Sequence, residues 1–316
     1  MDTRALTLFT PHSRALTVLH DDLERQALSQ PTVFVGTAGS IIERQNAKGF
    51  PFYARAFYDG DGKKREAYVS GPVGNTEADA AASRVRERIQ EIKTLVPSLR
   101  MLRREGYNVV DPRTYGTIAS LSNHRVFSTA GMLIGSHAYG ILLNKLGVRA
   151  AAYSTEDIDI ARAAALAIDG SRSEGLLGML KDSGIEFVEV PALERLKAHA
   201  TGLPYLGYLL ADSQPAMLMA REGCCAVRVP LPERFAVHKL IVSRLRNERG
   251  TKSEKDVLQA SVLAAALAET HPGAIEEAAA DLPKRTHRHF VAAREAARKH
   301  LESRYERAWD ELQSSR

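Results

Sequence analysis

From residue 117 to about 229 the chain alternates short apolar runs with helical stretches, and few architectures accept that alternation. It calls for an α/β or α+β domain, in which strands bury a face under helices. The flanks read differently. Ahead of it, residues 33–42 are β-branched and glycine-punctuated, residues 50–58 are aromatic-rich, and residues 64–70 return after the turn Asp59-Gly60-Asp61-Gly62. Such segments predict a small antiparallel meander. Arg44, Lys48, Arg55, Lys63, Lys64 and Arg65 are distributed over it. Before the meander, Ser13 is placed to cap a helix with apolar positions Leu16, Leu19, Leu23 and Leu28, ended by Pro31. After it, Thr76 and Asp79 resemble a capping box opening a basic helix to about Glu105, which carries Arg84, Arg86, Arg88, Lys93, Arg100, Arg103 and Arg104.

From Pro232 onward the periodicity is helical. Phe235, Leu240 and Leu245 fall on one helix and residues 257–268 on a second. Phe290, Ala293, Ala297, Leu301, Tyr305, Ala308 and Leu312 form one stripe on a long final helix. The predicted organisation is therefore a helix and meander over 1–75, a basic connecting helix over 76–116, a core over 117–230 and a helical region over 231–316. The fold class is α+β.

Composition narrows the setting. An apolar share of 44% with 26% charged residues is that of a globular chain, which excludes wholesale disorder. A net charge of +5 and a pI near 9.2 lean mildly toward polyanionic partners. The two cysteines, Cys224 and Cys225, are adjacent, so they close no useful loop and belong to no spaced zinc set. The first ten residues lack a signal-peptide apolar run, and no window reaches the roughly 18 apolar residues of a membrane span. The expectation is a cytoplasmic protein with no membrane contact.

Two motifs carry chemistry. In Met132-Leu133-Ile134-Gly135-Ser136-His137 an apolar strand runs into Gly-Ser, and Ile141, Leu142 and Leu143 continue as a helix. That joint gathers backbone N–H groups at a helix start, an anion site, although Gly-Ser also fits a purely structural tight turn. In Ser154-Thr155-Glu156-Asp157-Ile158-Asp159-Ile160 the acids alternate with isoleucines. On a strand Asp157 and Asp159 would share one face while Ile158 and Ile160 anchor the other in a core. Two parallel carboxylates suit Mg²⁺ bound beside substrate phosphates, and they equally suit a solvated edge strand.

Taken together, Gly-Ser at a helix start and an apolar–Asp–apolar–Asp strand resemble the signature of the polymerase-β-like nucleotidyltransferase superfamily. Residues 229–242, Lys255-Asp256-Val257-Leu258-Gln259-Ala260 and Tyr68-Val69-Ser70-Gly71-Pro72 look like elements of a little-characterised bacterial branch of it. The resemblance implies a small mixed sheet of nucleotidyltransferase type with flanking helices. It implies phosphate contact by Gly135 and Ser136, and two Mg²⁺ ions held by Asp157 and Asp159. It implies transfer of a nucleoside monophosphate from an NTP (ATP among them) to an unidentified acceptor hydroxyl. Arg234 or Lys239 would neutralise the leaving phosphates, or serve as ordinary helix-surface residues. His238, singled out by adjacency alone, reads better as a packed or solvated histidine.

The sequence departs from the superfamily in two places. Twenty residues separate Ser136 from Asp157, the excess falling around 146–152 and reading as a loop. The third carboxylate, an Asp in an apolar strand, is not found; Glu189 in Phe187-Val188-Glu189-Val190 is the best substitute, and it also fits a surface strand position. The competing function is a nucleic-acid-binding protein with a catalytically degenerate domain. There the meander's cations would meet phosphates while Phe50, Phe52, Tyr53, Phe57 and Tyr58 stack on bases or form the meander's own core.

Overall fold

The computed structural model describes residues 7–30, 32–129, 131–151, 158–162, 179, 182–183, 205–245 and 250–314. Strand β1 (Phe9–Pro11) and helix α1 (Arg14–Leu28) lead into a meander of β2 (Ser40–Gln45), β3 (Pro51–Tyr58) and β4 (Lys64–Ser70). Helix α2 (Thr76–Arg104), α3 (Pro112–Asn123) and the short α4 (Val126–Thr129) follow. The centre runs through β5 (Gly131–Leu133), α5 (Gly135–Lys145), β6 (Val148–Ala150), β7 (Ile160–Arg162), α6 (Leu206–Leu210), β8 (Ser213–Met219) and β9 (Cys224–Pro230). The C-terminal region holds α7 (Pro232–Leu245), α8 (Thr251–Thr270), α9 (Ala274–Ala280), α10 (Lys284–Leu301) and α11 (Glu306–Ser314). The chain is α+β. Among the described residues the named strands pair only antiparallel: β1 with β6, β2-β3-β4, β5 with β7, and β8 with β9. One isolated parallel bridge joins Val110 to Ala220.

The main core gathers around α7 and α8, whose inner faces bury Phe235, Leu240, Ile241, Leu263 and Leu267. Leu133, Leu142 and Leu143 bring β5 and α5 onto it, and Val227 and Val229 bring β9. Cys224 and Cys225 are free, buried thiols on β9, which accords with small residues in a buried strand. Among the described residues no helix is long and apolar enough to cross a membrane.

Several local expectations change. The first meander strand begins only at Ser40, because Gly36 and Gly39 sit at positive φ and interrupt it. The loop before it is held by Arg55, whose guanidinium lies between the rings of Phe34 (4.2 Å) and Phe57 (3.9 Å). Arg55 also donates to the carbonyls of Thr37 at 2.8 Å and Val35 at 3.2 Å. Burial pulls its pKa down to about 10, so it stays protonated at neutral pH. Arg44 pairs with Glu66 and Arg65 with Asp59, both at 2.7 Å. Three cations expected to meet nucleic-acid phosphates are thus engaged inside the meander. Its aromatics divide: Tyr53 is buried, while Phe50 and Tyr58 face solvent.

The cap of α2 is Asn75, which accepts from Glu77 N and Ala78 N, in place of Thr76. Asp79 turns away to accept from the Tyr53 hydroxyl at 2.8 Å. The α1 helix starts after Ser13 as expected, but Ser13 makes no side-chain cap and Leu28 is exposed; Pro31 lies outside the described residues. The expected long final helix is two. The chain turns after Leu301 so that Tyr305 packs at a tilt against Phe9 (ring centroids 5.8 Å apart) and accepts from Leu8 N at 3.0 Å, while the apolar stripe stays buried on both halves. The segment read as a loop turns at Gly147 (φ +64°) and then forms β6, which pairs with β1.

Candidate functional site

Apolar β5 ends at Leu133, Ile134 is extended, and Gly135 takes φ +70° to launch α5. Only glycine adopts that conformation without strain. Antiparallel pairing aligns Leu133 with Ile160, and Ile134 N donates to the Asp159 carbonyl at 2.9 Å. This register sets the Asp159 side chain directly over Gly135. A Cβ built on Gly135 would overlap Asp159 Oδ2 and lie 2.9 Å from Cγ. The glycine is therefore a cradle for the carboxylate as well as a turn.

Asp159 itself is solvent-exposed. The alternation expected around it holds only in part. Ile158 packs against the core, whereas Ile160 is 37% exposed and Ala161 is buried in its place, because β7 begins only at Ile160. Asp157 and Glu189 lie outside the described residues. Among the described residues, no three His, Cys, Asp or Glu side chains gather as a metal-binding group. A hard, exposed carboxylate fixed beside an anion-receptive helix start is nonetheless the donor type that Mg²⁺ takes, together with substrate phosphates.

The serine of the joint has a partner that sequence reasoning left without a role. Lys255 Nζ, from the first turns of α8, donates to Ser136 Oγ at 3.0 Å. The lysine–aspartate pair is split between two tasks. Asp256 is buried and holds Lys239 Nζ at 2.6 Å, tying α8 to α7. Lys239 thus faces a carboxylate one residue removed from the cation on Ser136. Lys239→Met is expected to cost about 1.5–3 kcal/mol, because it takes one charged hydrogen-bond partner from a buried carboxylate. Chemical denaturation measures it, and a loss under about 1 kcal/mol would contradict a structural ion pair.

Arg234 goes elsewhere. Its guanidinium pairs with Asp212 at 2.8 Å and Asp281 at 2.6 Å, donates to the Tyr208 carbonyl at 3.2 Å and lies over the Tyr208 ring. Two carboxylates already neutralise it. His238 is buried on α7, as a packed histidine. The structure brings together Gly135, Ser136, Asp159 and Lys255, with Lys239 behind them through Asp256.

Beside Ser136 opens a cleft of about 420 Å³. One wall is the side of α5 that carries Ser136 and Gly140; the other is formed by residues 108–112 and the end of β8. Asn144 fixes this floor, accepting from Asn108 N at 2.8 Å and donating to its carbonyl at 2.9 Å. Val110 N donates to Met219 O at 2.9 Å, joining the floor to β8. Arg103 and Arg221 stand at the cleft; the sequence marks Arg103 only as one cation of the basic helix and does not single out Arg221. Only three-dimensional proximity marks them as a pair, since 118 positions separate them in the chain (221 − 103).

A family model described as nucleotidyltransferase matches residues 113–199 and 192–283, together more than half of the chain. The matched region contains Gly135, Ser136, Asp159, Lys239 and Lys255. No curated protein and no solved structure matches the chain.

Proposed function

The chain belongs to this nucleotidyltransferase family, and from that premise we propose that it moves a nucleoside monophosphate from an NTP to an acceptor hydroxyl in a Mg²⁺-dependent reaction. The observation that carries the reading is the Asp159 carboxylate seated over Gly135, at the helix start where Lys255 meets Ser136. The α5 amides, the Ser136 hydroxyl and the Lys255 ammonium offer donors to triphosphate oxygens. Asp159, with Asp157 as its partner, would hold the metal, and Glu189 is the proposed third acid. When bound, Mg²⁺ neutralises phosphate charge and acidifies the acceptor hydroxyl.

In the reaction the acceptor oxygen forms a bond to the α-phosphorus in line with the bond that breaks. The electron pair of the broken P–O bond leaves with pyrophosphate, and the acceptor proton passes to a carboxylate or water. Positioning and charge neutralisation supply most of the rate. The competing nucleic-acid reading loses support, since Arg44, Arg55 and Arg65 already have partners within the meander.

The test is binding of a labelled, non-hydrolysable NTP with Mg²⁺ and with EDTA, in wild type and in Asp157→Asn/Asp159→Asn. Metal-dependent binding that weakens about tenfold or more in the double variant is expected. Folded protein that ignores millimolar nucleotide would transfer the case to nucleic-acid binding.

A further inference from the structure

The neutralised Arg234 and Lys239 leave open which cations meet the far end of a triphosphate. The cleft beside Ser136 supplies two. Arg103 stands in the last turn of α2, and Arg221 in the tight turn between β8 and β9, closed by Ala220 N donating to Gly223 O at 2.9 Å. Neither makes an ion pair among the described residues. One carboxylate, Asp111, also lines the cleft. Its oxygens are turned to the start of α3, accepting from Arg113 N at 2.9 Å, Thr114 N at 3.1 Å and the Thr114 hydroxyl at 2.6 Å. The cleft therefore presents two guanidinium groups against one carboxylate already occupied in capping.

We propose that Arg103 and Arg221 bind the distal phosphates of the nucleotide donor and make the cleft selective for triphosphates over monophosphates. The assignment rests on the nucleotidyltransferase reading above. Three features support it. The planar guanidinium fork matches phosphate oxygens two at a time. Ser136 lines the same cleft, so a polyphosphate held at the α5 start has a continuous path to both arginines. The backbone bond from Val110 to Met219 joins the segment that follows α2, and so Arg103, to the end of β8 that leads into Arg221. Arg103 also lies outside the residues matched by the family model, which makes it a feature of this chain's N-terminal part.

Equilibrium titrations with Mg²⁺ test this, using a non-hydrolysable NTP, the matching monophosphate and inorganic tripolyphosphate. In wild type the first and third should bind more tightly than the monophosphate. Arg103→Ala and Arg221→Ala should each weaken NTP and tripolyphosphate about tenfold, leave monophosphate affinity unchanged, and recover in part as Arg→Lys. Both side chains are exposed, so the variants should fold, and a thermal melt checks it. If wild type binds no NTP, the proposed function itself falls. If wild type binds NTP and both alanine variants bind it equally well, only this assignment falls. An equal loss for all three ligands would overturn the triphosphate selectivity.

Discussion

Asp159→Asn should reduce nucleotidyl transfer by about 10²–10³-fold or more while leaving the fold intact, the scale set by removing one preorganised charge-stabilising group from an active site. The substitution keeps the side chain's size and its seat over Gly135, and removes only the negative charge that a metal ion and its phosphates require. Because Asp159 is exposed, little stability should be lost, within about 0.5 kcal/mol for a surface site. Pyrophosphate release at saturating NTP reads the chemical step, and a thermal melt reads the fold. Asp159→Glu is the informative companion. It retains the charge but adds a methylene where the carboxylate already lies against the Gly135 backbone, so activity should still fall. Wild-type turnover in Asp159→Asn would sink the assignment.

Gly135→Ala should lose both stability and activity, for two separable reasons. The first is conformational: at φ +70° an L-residue carries a penalty of about 1–2 kcal/mol. The second is steric, since the new Cβ would occupy the space of the Asp159 carboxylate. Gly62→Ala isolates the first, because Gly62 has φ +75° and open space around its missing Cβ. That control should cost about 1–2 kcal/mol and leave turnover unchanged. Gly135→Ala should cost at least as much and also slow transfer, on the order of 10²-fold if the carboxylate moves by about 1 Å. Equal turnover in the two variants would mean that Asp159 is not positioned by Gly135.

The assignments of Arg234 and Lys239 show how position overrides residue type. Arg234 and Lys239 stand in a helix phrase that resembles the family, and nothing in their local sequence separates a phosphate ligand from a structural cation. Folding brings Asp212 and Asp281 to the first and Asp256 to the second, and these pairs complete both charges. Lys255 lies one residue before Asp256, yet α8 directs it to Ser136. Along a helix, adjacent residues point about 100° apart, so one dipeptide can serve two different neighbours.

The sequence by itself determined the elements whose causes are local. The Asp59–Gly62 turn and its flanking β-branched and aromatic residues specified β3 and β4, and the apolar–Gly-Ser step specified the β5–α5 joint. Apolar periodicity specified α7 and α8, and the alternating Asp motif singled out Asp159. Only the tertiary structure decided what depends on partners distant in the chain. It set Asp159 over Gly135, turned the chain at Tyr305 toward Phe9, paired β6 with β1, and folded residues 33–39 around Arg55. It also gathered Arg103, Ser136 and Arg221 at one cleft. Side-chain spacing and backbone propensity act over a few residues and can be read in order, whereas charge pairing, ring stacking and cavity walls arise only when the core closes.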